Sequence, residues 1–353
     1  MSVMEVERWT AYPGTSARIP DAGAAAVTCR AAETVFDYCW FPKMCSALPE
    51  SCCFATTSRD QPLQLWDAYT GGRFASYAGY GDSEELDTAT SVAFGHDCSR
   101  IYGGYNGLVR VWDVAVPGRS CRKVPLFRRA HAVASGQKGL VSSIDSSVHG
   151  VAVGSFAGTV AVYDDNVGGG TILGVHGSGS GSSGGGQSNG VTQVKWSARC
   201  SQIVSAGRRD EALSVWDVRM GAGQPLMTLP RHSSTNQRVL FDVSSCGRYI
   251  ATPHHARDAA AAHSIRVYDL VTGVLETEVA LPKAAFPNAV GLYASPQQLP
   301  HCLSCSPAGT PLRPCLQCPR AKDCTSCRQA AAATVEAAVV MTRSRCRNAV
   351  RVN

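Results

Sequence analysis

Five short segments recur along the 353-residue chain, each alternating apolar with polar residues and closing on an aromatic–Asp pair: LQLWD, VRVWDV, VAVYDD, LSVWDV and IRVYDL. Their aspartates, Asp67, Asp113, Asp164, Asp217 and Asp269, stand 46, 51, 53 and 52 residues apart. Such a period constrains a fold more tightly than composition does, because each unit must bury a face against a neighbour of its own kind. Alternation of period two makes each segment a strand, and the aromatic adds a large area to bury.

Upstream of each segment lies a second strand ending in small or polar residues: CCFATTSRD, SRIYGGYNG, GVAVGSFAG, SQIVSAGRRD and GRYIATPHH. Before these come first strands such as TSVAFGHD, VTQVKWSA and RVLFDVSS. The order strand, turn, strand, turn, strand ending in Trp-Asp is that of a WD-repeat β-propeller blade. The chain is therefore expected to be all-β, a propeller of the seven-bladed type with five traceable blades and a partial sixth beginning at AFPNAVGLYAS (285–295). Blade spacings above the roughly 40–45 residues of a compact blade point to loop insertions. One of these, GSGSGSSGGGQSNG (177–190), is flexible by composition and falls between two blades. The expected division is an unassigned segment 1–32, the propeller 33–300, and a Cys-rich basic tail 301–353 that is disordered or wrongly translated, so that the ring is incomplete at both ends.

The formal charge of +6 resides in that tail, which holds eight Arg or Lys against Asp323 and Glu336. Residues 1–300 carry 25 basic and 25 acidic groups, so a nucleic-acid site in the body must arise from local clustering. The first twenty residues lack the apolar core of a signal peptide, and no stretch reaches the roughly 20 apolar residues of a bilayer span, so an intracellular protein without a membrane partner is expected. In a reducing compartment the nine cysteines between residues 29 and 246 read as buried thiols. Cys302/Cys305, Cys315/Cys318 and Cys324/Cys327 have CxxC spacing, but few apolar residues surround them to pack a metal. No metal, cofactor or small-molecule substrate is expected. HExxH and Walker-type signatures are missing, and the Gly-rich stretches lack the strand-to-helix setting of a nucleophile elbow or phosphate loop, so no enzyme is expected.

Polar residues divide by expected role. Asp60, His176 and Asp210 fit a blade's internal hydrogen-bond network, and Asp67, Asp113 and Asp217 cap the turn after the third strand. Three clusters stand out: Ser58-Arg59-Asp60 with Gln61-Pro62, Arg208-Arg209-Asp210, and Thr235-Asn236-Gln237-Arg238. Turns between second and third strands and segments preceding first strands emerge on one propeller face, so Arg59, Arg208, Arg209, Asn236, Gln237 and Arg238 are expected to form a surface able to bond bases and phosphates. The alternative to RNA is a protein-interaction module. Trp216-Asp217-Val218-Arg219 fits the WDxR box of cullin ubiquitin-ligase substrate receptors, although Arg219 can equally serve as a local salt-bridging residue.

Several strings are more specific than a generic blade: FDYCWFPKMCSALPESCCFATTSRDQPLQLWDAYTG (36–71), VRVWDVAVPGRSC (109–121), SAGRRDEALSVWDVR (205–219) and TNQRVLFDVSSCGRY (235–249). They resemble the telomerase Cajal body protein family of WD-repeat proteins, and the likeness extends over about residues 33–295. The resemblance implies a non-enzymatic RNA-binding scaffold. It would recognise a short box in the terminal loop of small Cajal body RNAs and telomerase RNA, and direct their ribonucleoproteins to Cajal bodies in the nucleus and telomerase to telomeres. That family has a further blade before the FDYCW string and a closing blade after NAVGLYA, where this chain differs.

Overall fold

The computed structural model describes residues 2–3, 27–45, 47–81, 84–130, 133–164, 170–175, 190–197, 202–209, 211–220, 224–233, 235–244, 246–258, 261–281, 289–292 and 337–338. Five four-stranded antiparallel sheets follow one another, each with its strands in sequence order. Blade 1 comprises Val35–Trp40, Cys53–Ser58, Leu63–Asp67 and Arg73–Tyr77. Blade 2 comprises Ser91–Phe94, Arg100–Gly104, Leu108–Asp113 and Arg122–Pro125. Blade 3 is built from Val141–Ser147, Gly150–Ser155, Thr159–Tyr163 and Gly170–Val175. Blade 4 has Val191–Trp196, Gln202–Gly207, Ala212–Asp217 and Met227–Pro230. Blade 5 has Asp242–Val243, Tyr249–His254, Ser264–Asp269 and Leu275–Ala280. This is the expected WD-repeat β-propeller architecture.

Burial is greatest in the second and third strands and lowest in the outer one, while the innermost strand of blade 1 alternates half-buried with exposed. The second strands Cys53–Ser58 and Gly150–Ser155 are buried at every position, because both of their faces are covered. By contrast, the outer strand Leu275–Ala280 is exposed throughout. The small residues closing the second strands have a steric cause: a Cβ at Gly154 would lie 2.6 Å from Val191 Cγ1 of blade 4. Apolar side chains accordingly collect in wedges at the seams. One joins Ala93, Tyr102 and Val111 to Val141, Ile144 and Val153; another joins Ala206, Leu213 and Leu229 to Phe241, Ile250 and Tyr268. Each Val, Leu, Ile or Phe among them contributes about 1.5–3 kcal/mol on burial.

Polar contacts between innermost strands close the seams. Asp37 Oδ2 accepts from Val92 N at 3.1 Å, Ser143 Oγ from Val194 N at 3.1 Å, and Asp145 Oδ2 from Trp196 N at 2.7 Å. The Gln193 side-chain amide pairs in both directions with the backbone of Phe241, at 3.0 and 2.9 Å, and Lys195 is ion-paired to Asp242. Burial raises the Asp145 carboxyl above its ordinary value, against hydrogen bonds from Trp196 and Ser146 and the charge of Lys195.

Within blades, indole N–H groups find the second strand: Trp66 donates to Thr56 Oγ1 at 2.9 Å and Trp216 to Ser205 Oγ at 2.8 Å. Register places Gly103 at the equivalent position in blade 2, and there the buried Trp112 Nε1 has no partner. Asp60 departs from the expected internal network. Its side chain is 76% exposed and meets Thr88 of the connection into blade 2, because the turn carries it past the sheet edge. His176 and Asp210 lie outside the described residues, as does most of the 177–190 insertion.

The cysteines are less uniformly buried than expected. Cys29, Cys52, Cys53 and Cys98 are buried, Cys39 and Cys121 are half-buried, and Cys45 and Cys246 are exposed because they sit in surface connections. Cys200 and the three CxxC pairs lie outside the described residues. A sixth unit begins where expected: Gly291–Leu292 pairs with Ala337–Ala338, and Leu240 bridges to Ala289. Ser2–Val3 pairs with Val27–Thr28. A hairpin absent from the sequence-based expectation, Phe127–Ala130 with Val133–Gly136, stands between blades 2 and 3.

Candidate nucleic-acid interface

The turns between second and third strands share one construction in blades 1, 3 and 4, whereas in blade 2 Tyr105 N donates within its own turn, to Leu108 O at 2.8 Å. The residue following the second strand donates its N–H to the residue just before an innermost strand: Arg59 to Thr34 O at 3.0 Å, Phe156 to Leu140 O at 3.0 Å and Arg208 to Gly190 O at 3.0 Å. In blade 5, His255 donates to His232 O at 2.8 Å in the connection leading to that blade. The next residue turns the chain through a left-handed conformation in blades 1 and 4, at Asp60 (φ 52°) and Arg209 (φ 48°). Asp tolerates that region, whereas Arg adopts it at a cost of roughly 1–2 kcal/mol. Arg59 and Arg208 thus occupy equivalent places, and the two kinds of connection meet on one face as expected.

Exposure singles out part of the expected set. The Arg59 side chain is 68% exposed, with Nε 3.6 Å from Asp60 Oδ2. Arg208 and Arg209 are exposed, and the Arg208 guanidinium lies 4.3 Å from the centroid of the Phe156 ring. A guanidinium held over an aromatic ring on one side can still meet a second group on its other side. Asn236 and Gln237 are also exposed.

Arg238 has a different place. Its Nη1 bonds Asp37 Oδ1 at 3.1 Å and Phe36 O at 3.3 Å, so it ties the entry of blade 5 to the innermost strand of blade 1. Burial raises the Asp37 carboxyl above its ordinary value, and Arg238 opposes this. Arg238 is therefore a brace between distant strands, and its guanidinium is engaged within the fold.

A histidine group borders this surface. His254 Nδ1 accepts from His232 N at 2.9 Å and His263 Nδ1 from Ala256 N at 3.0 Å. Burial, followed by the charge of Arg266, lowers His254 to about 4, so the ring is neutral and suited to accepting that bond. Glu211 links His232, at 3.1 Å, to the exposed Arg257. Among the described residues no three His, Cys, Asp or Glu side chains gather in a way that would hold a metal ion.

The opposite face carries the Trp-Asp turns, and there the expected capping is present. Asp67, Asp113, Asp217 and Asp269 accept from the backbone N–H two residues ahead at 2.8, 2.8, 3.0 and 2.7 Å. Arg219 returns to Asp217 through Nε at 3.0 Å and Nη2 at 2.6 Å, the local salt bridge weighed in the sequence. The inserted hairpin and the seam residues Gln193, Lys195 and Asp145 went unmarked in the sequence. For the hairpin a signal existed in the acid-free basic run around FRRAHAVASGQK.

A family model described as "WD domain, G-beta repeat" matches residues 83–113, within and just before blade 2. Telomerase Cajal body protein 1 of Homo sapiens is 34% identical over 224 residues, 62% of this chain and 38% of that protein. The Drosophila melanogaster telomerase Cajal body protein 1 homolog is 31% identical over 222 residues, again 62% of this chain and 38% of that protein. The guanine nucleotide-binding protein negative regulator 1 of Schizosaccharomyces pombe is 26% identical over 235 residues, 62% of this chain and 54% of that protein. This chain therefore spans little more than a third of the length of the telomerase Cajal body proteins it matches.

Proposed function

We propose that this WD-repeat propeller, a relative of the telomerase Cajal body proteins, is a non-enzymatic scaffold that binds RNA on the face carrying Arg59, Arg208, Arg209, Asn236 and Gln237. The observation that carries the reading is the turn construction repeated in blades 1 and 4, which sets their exposed arginines at equivalent positions on that face, with the Arg208 guanidinium over the Phe156 ring. Sequence-specific RNA recognition uses splayed single-stranded bases, stacked on aromatic or guanidinium planes and bonded at their edges. Turns fixed on neighbouring packed blades hold such groups at set separations. By its likeness to the family, the RNA is a small Cajal body RNA or telomerase RNA, and the protein acts in the nucleus, at Cajal bodies and in delivery of telomerase to telomeres.

Binding of the full chain to a stem–loop RNA from a small Cajal body RNA tests the reading, with the same stem carrying a scrambled loop as comparison. The native loop is expected to bind more tightly, and the double charge reversal Arg208→Glu with Arg209→Glu is expected to remove binding while leaving the melting temperature near that of the unaltered chain. Equal affinity for the two loops, or retained binding by the reversed protein, sinks it. Arg238 is unsuited to this test because reversing it breaks the contact with Asp37. The ligase-receptor alternative gains nothing from Arg219, whose guanidinium is held by Asp217.

A further inference from the structure

We infer that an open cleft on the Trp-Asp end of blade 1, walled by Tyr69 and Phe74, receives an arginine side chain of a partner protein. The cleft spans about 420 Å³ between the 3-10 turn Pro49–Ser51, the turn that follows Asp67 and the start of the outer strand Arg73–Tyr77. Pro49, Glu50, Asp67, Tyr69, Thr70 and Phe74 line it. It lies on the opposite end from the arginine turns, so it stands or falls apart from the RNA reading.

Aromatic exposure gives the first ground. Tyr69 and Phe74 are 55% and 51% exposed, although rings of this size contribute most to a fold when buried. The turn that presents Tyr69 is capped alike in other blades, but the residue two after the aspartate is Ala115 in blade 2, Arg219 in blade 4 and Val271 in blade 5. Phe74 is the extra residue of a β-bulge, since Leu65 pairs with Ala75 and Trp66 with Arg73. A bulge re-aims the side chain it leaves unpaired. Blade 5 has the same bulge, and there the extra residue between Leu275 and Thr277 is Glu276. One construction thus carries an aromatic at both places in blade 1 and at neither in blade 5. The walls are also tied together: Ala68 N donates to Cys52 O at 2.9 Å, and Cys52 Sγ to the Tyr69 hydroxyl at 3.9 Å.

Charge gives the second. Asp217 and Asp269 are each paired with an arginine, Arg219 and Arg248. Asp67 accepts from uncharged donors, Tyr69 N at 2.8 Å and Thr70 Oγ1 at 2.7 Å, and the Thr70 bond above all holds its carboxyl below the ordinary value. Among the described residues neither Asp67 nor the exposed Glu50 has an ion pair. No basic side chain lines the cleft: Arg73 precedes the bulge, and Lys43 Nζ donates to Asp97 O of blade 2 at 3.2 Å. Two carboxylates without a counter-charge beside two exposed rings suit a cation. The planar guanidinium fits best, because it lies over a ring while its edge bonds a carboxylate, a pairing that the compact ammonium of lysine does not reproduce. Glu50 supplies the free acceptor, and Asp67 adds a fixed negative charge.

The experiment titrates the full chain with a fluorescent Gly-Ser peptide carrying one arginine, beside the same peptide with citrulline or lysine in its place. The citrulline peptide, alike in shape but uncharged, is expected to bind about tenfold more weakly than the arginine peptide, and the lysine peptide about threefold. Tyr69→Ala plus Phe74→Ala is expected to weaken the arginine peptide about tenfold and Glu50→Gln about threefold, with melting temperatures unchanged because these side chains are exposed. Tyr69→Phe plus Phe74→Trp is expected to retain binding, since the ring faces persist, and this rescue excludes a folding defect. No binding of the arginine peptide, equal affinity for the citrulline peptide, or unchanged affinity in the double alanine variant overturns the cleft. Tighter binding of the lysine peptide overturns the choice of arginine.

Discussion

The two ends of the propeller use charged side chains in opposite ways. On the Trp-Asp end, Asp67, Asp113, Asp217 and Asp269 spend their oxygens on N–H groups two residues ahead, and Arg219 and Arg248 fold back onto Asp217 and Asp269. Charge there is consumed within a few residues or one neighbouring strand. On the other end, Arg59, Arg208 and Arg209 stand exposed at turn apices, and one of them occupies a backbone conformation that costs an arginine energy. Side chains that complete turns serve folding; those held out of turns at a conformational cost are the candidates for binding.

The largest expected effect is on the Trp-Asp end. Asp269 is 1% exposed; burial pushes its carboxyl up, but bonds from Val271 and Arg248 outweigh this and hold it below its ordinary value. Asp269→Ala is expected to cost about 3 kcal/mol in chemical denaturation and to leave RNA affinity intact under folding conditions. A loss of affinity at full folding would break the division between the ends.

Arg238 tests the division from the other side, being a structural group on the binding face. Arg238→Ala leaves Asp37 with its bond from Val92 but no counter-charge, and is expected to lower stability by about 2 kcal/mol. A variant that melts like the unaltered chain yet loses RNA would move Arg238 to the binding group.

A smaller and opposite shift is expected at Arg209. Replacing it with glycine removes the left-handed penalty at φ 48°, so Arg209→Gly is expected to gain about 0.5–1 kcal/mol in thermal melting while weakening RNA binding. Loss of both stability and affinity would show that the arginine supports the turn.

A pH slope is expected at His254, which faces Arg266, Glu278, His232 and His255. Its folded value of about 4 lies below the ordinary 6.5, so the unfolded chain binds more protons between these values. Its contribution is complete above about pH 6.5 and declines as the pH falls towards 4. His254→Asn keeps an acceptor for His232 N and is expected to flatten that part of the stability profile; an unchanged slope would assign it to the neighbouring groups.

What could be read from the sequence follows from how far each interaction reaches along the chain. The third strands and their Asp caps were legible because a period of two and a partner two residues ahead are local facts. The equivalence of Arg59 and Arg208 was legible because the repeat itself aligns the turns. The bond of Arg238 to Asp37 was not legible because Asp37 lies 201 residues away, and no local pattern reports such a partner. Asp60 was misjudged because blade averages place an Asp there inside, whereas its left-handed turn carries it out. The hairpin was missed because its arginines interrupt the apolar alternation that marked the blades, and the exposed Cys45 and Cys246 because compartment chemistry says nothing of burial.

The seams have a mechanical meaning. Each wedge of apolar side chains is bounded by its own small set of polar contacts, such as the paired amide of Gln193 with Phe241 or Asp145 with Trp196. These act as detents: a sliding blade loses them all at once, since a shift of one residue presents the wrong faces. Under tension applied at its two ends, a row of five blades built this way loses the Arg238–Asp37 brace between its first and last blades and yields seam by seam, each release a separate event.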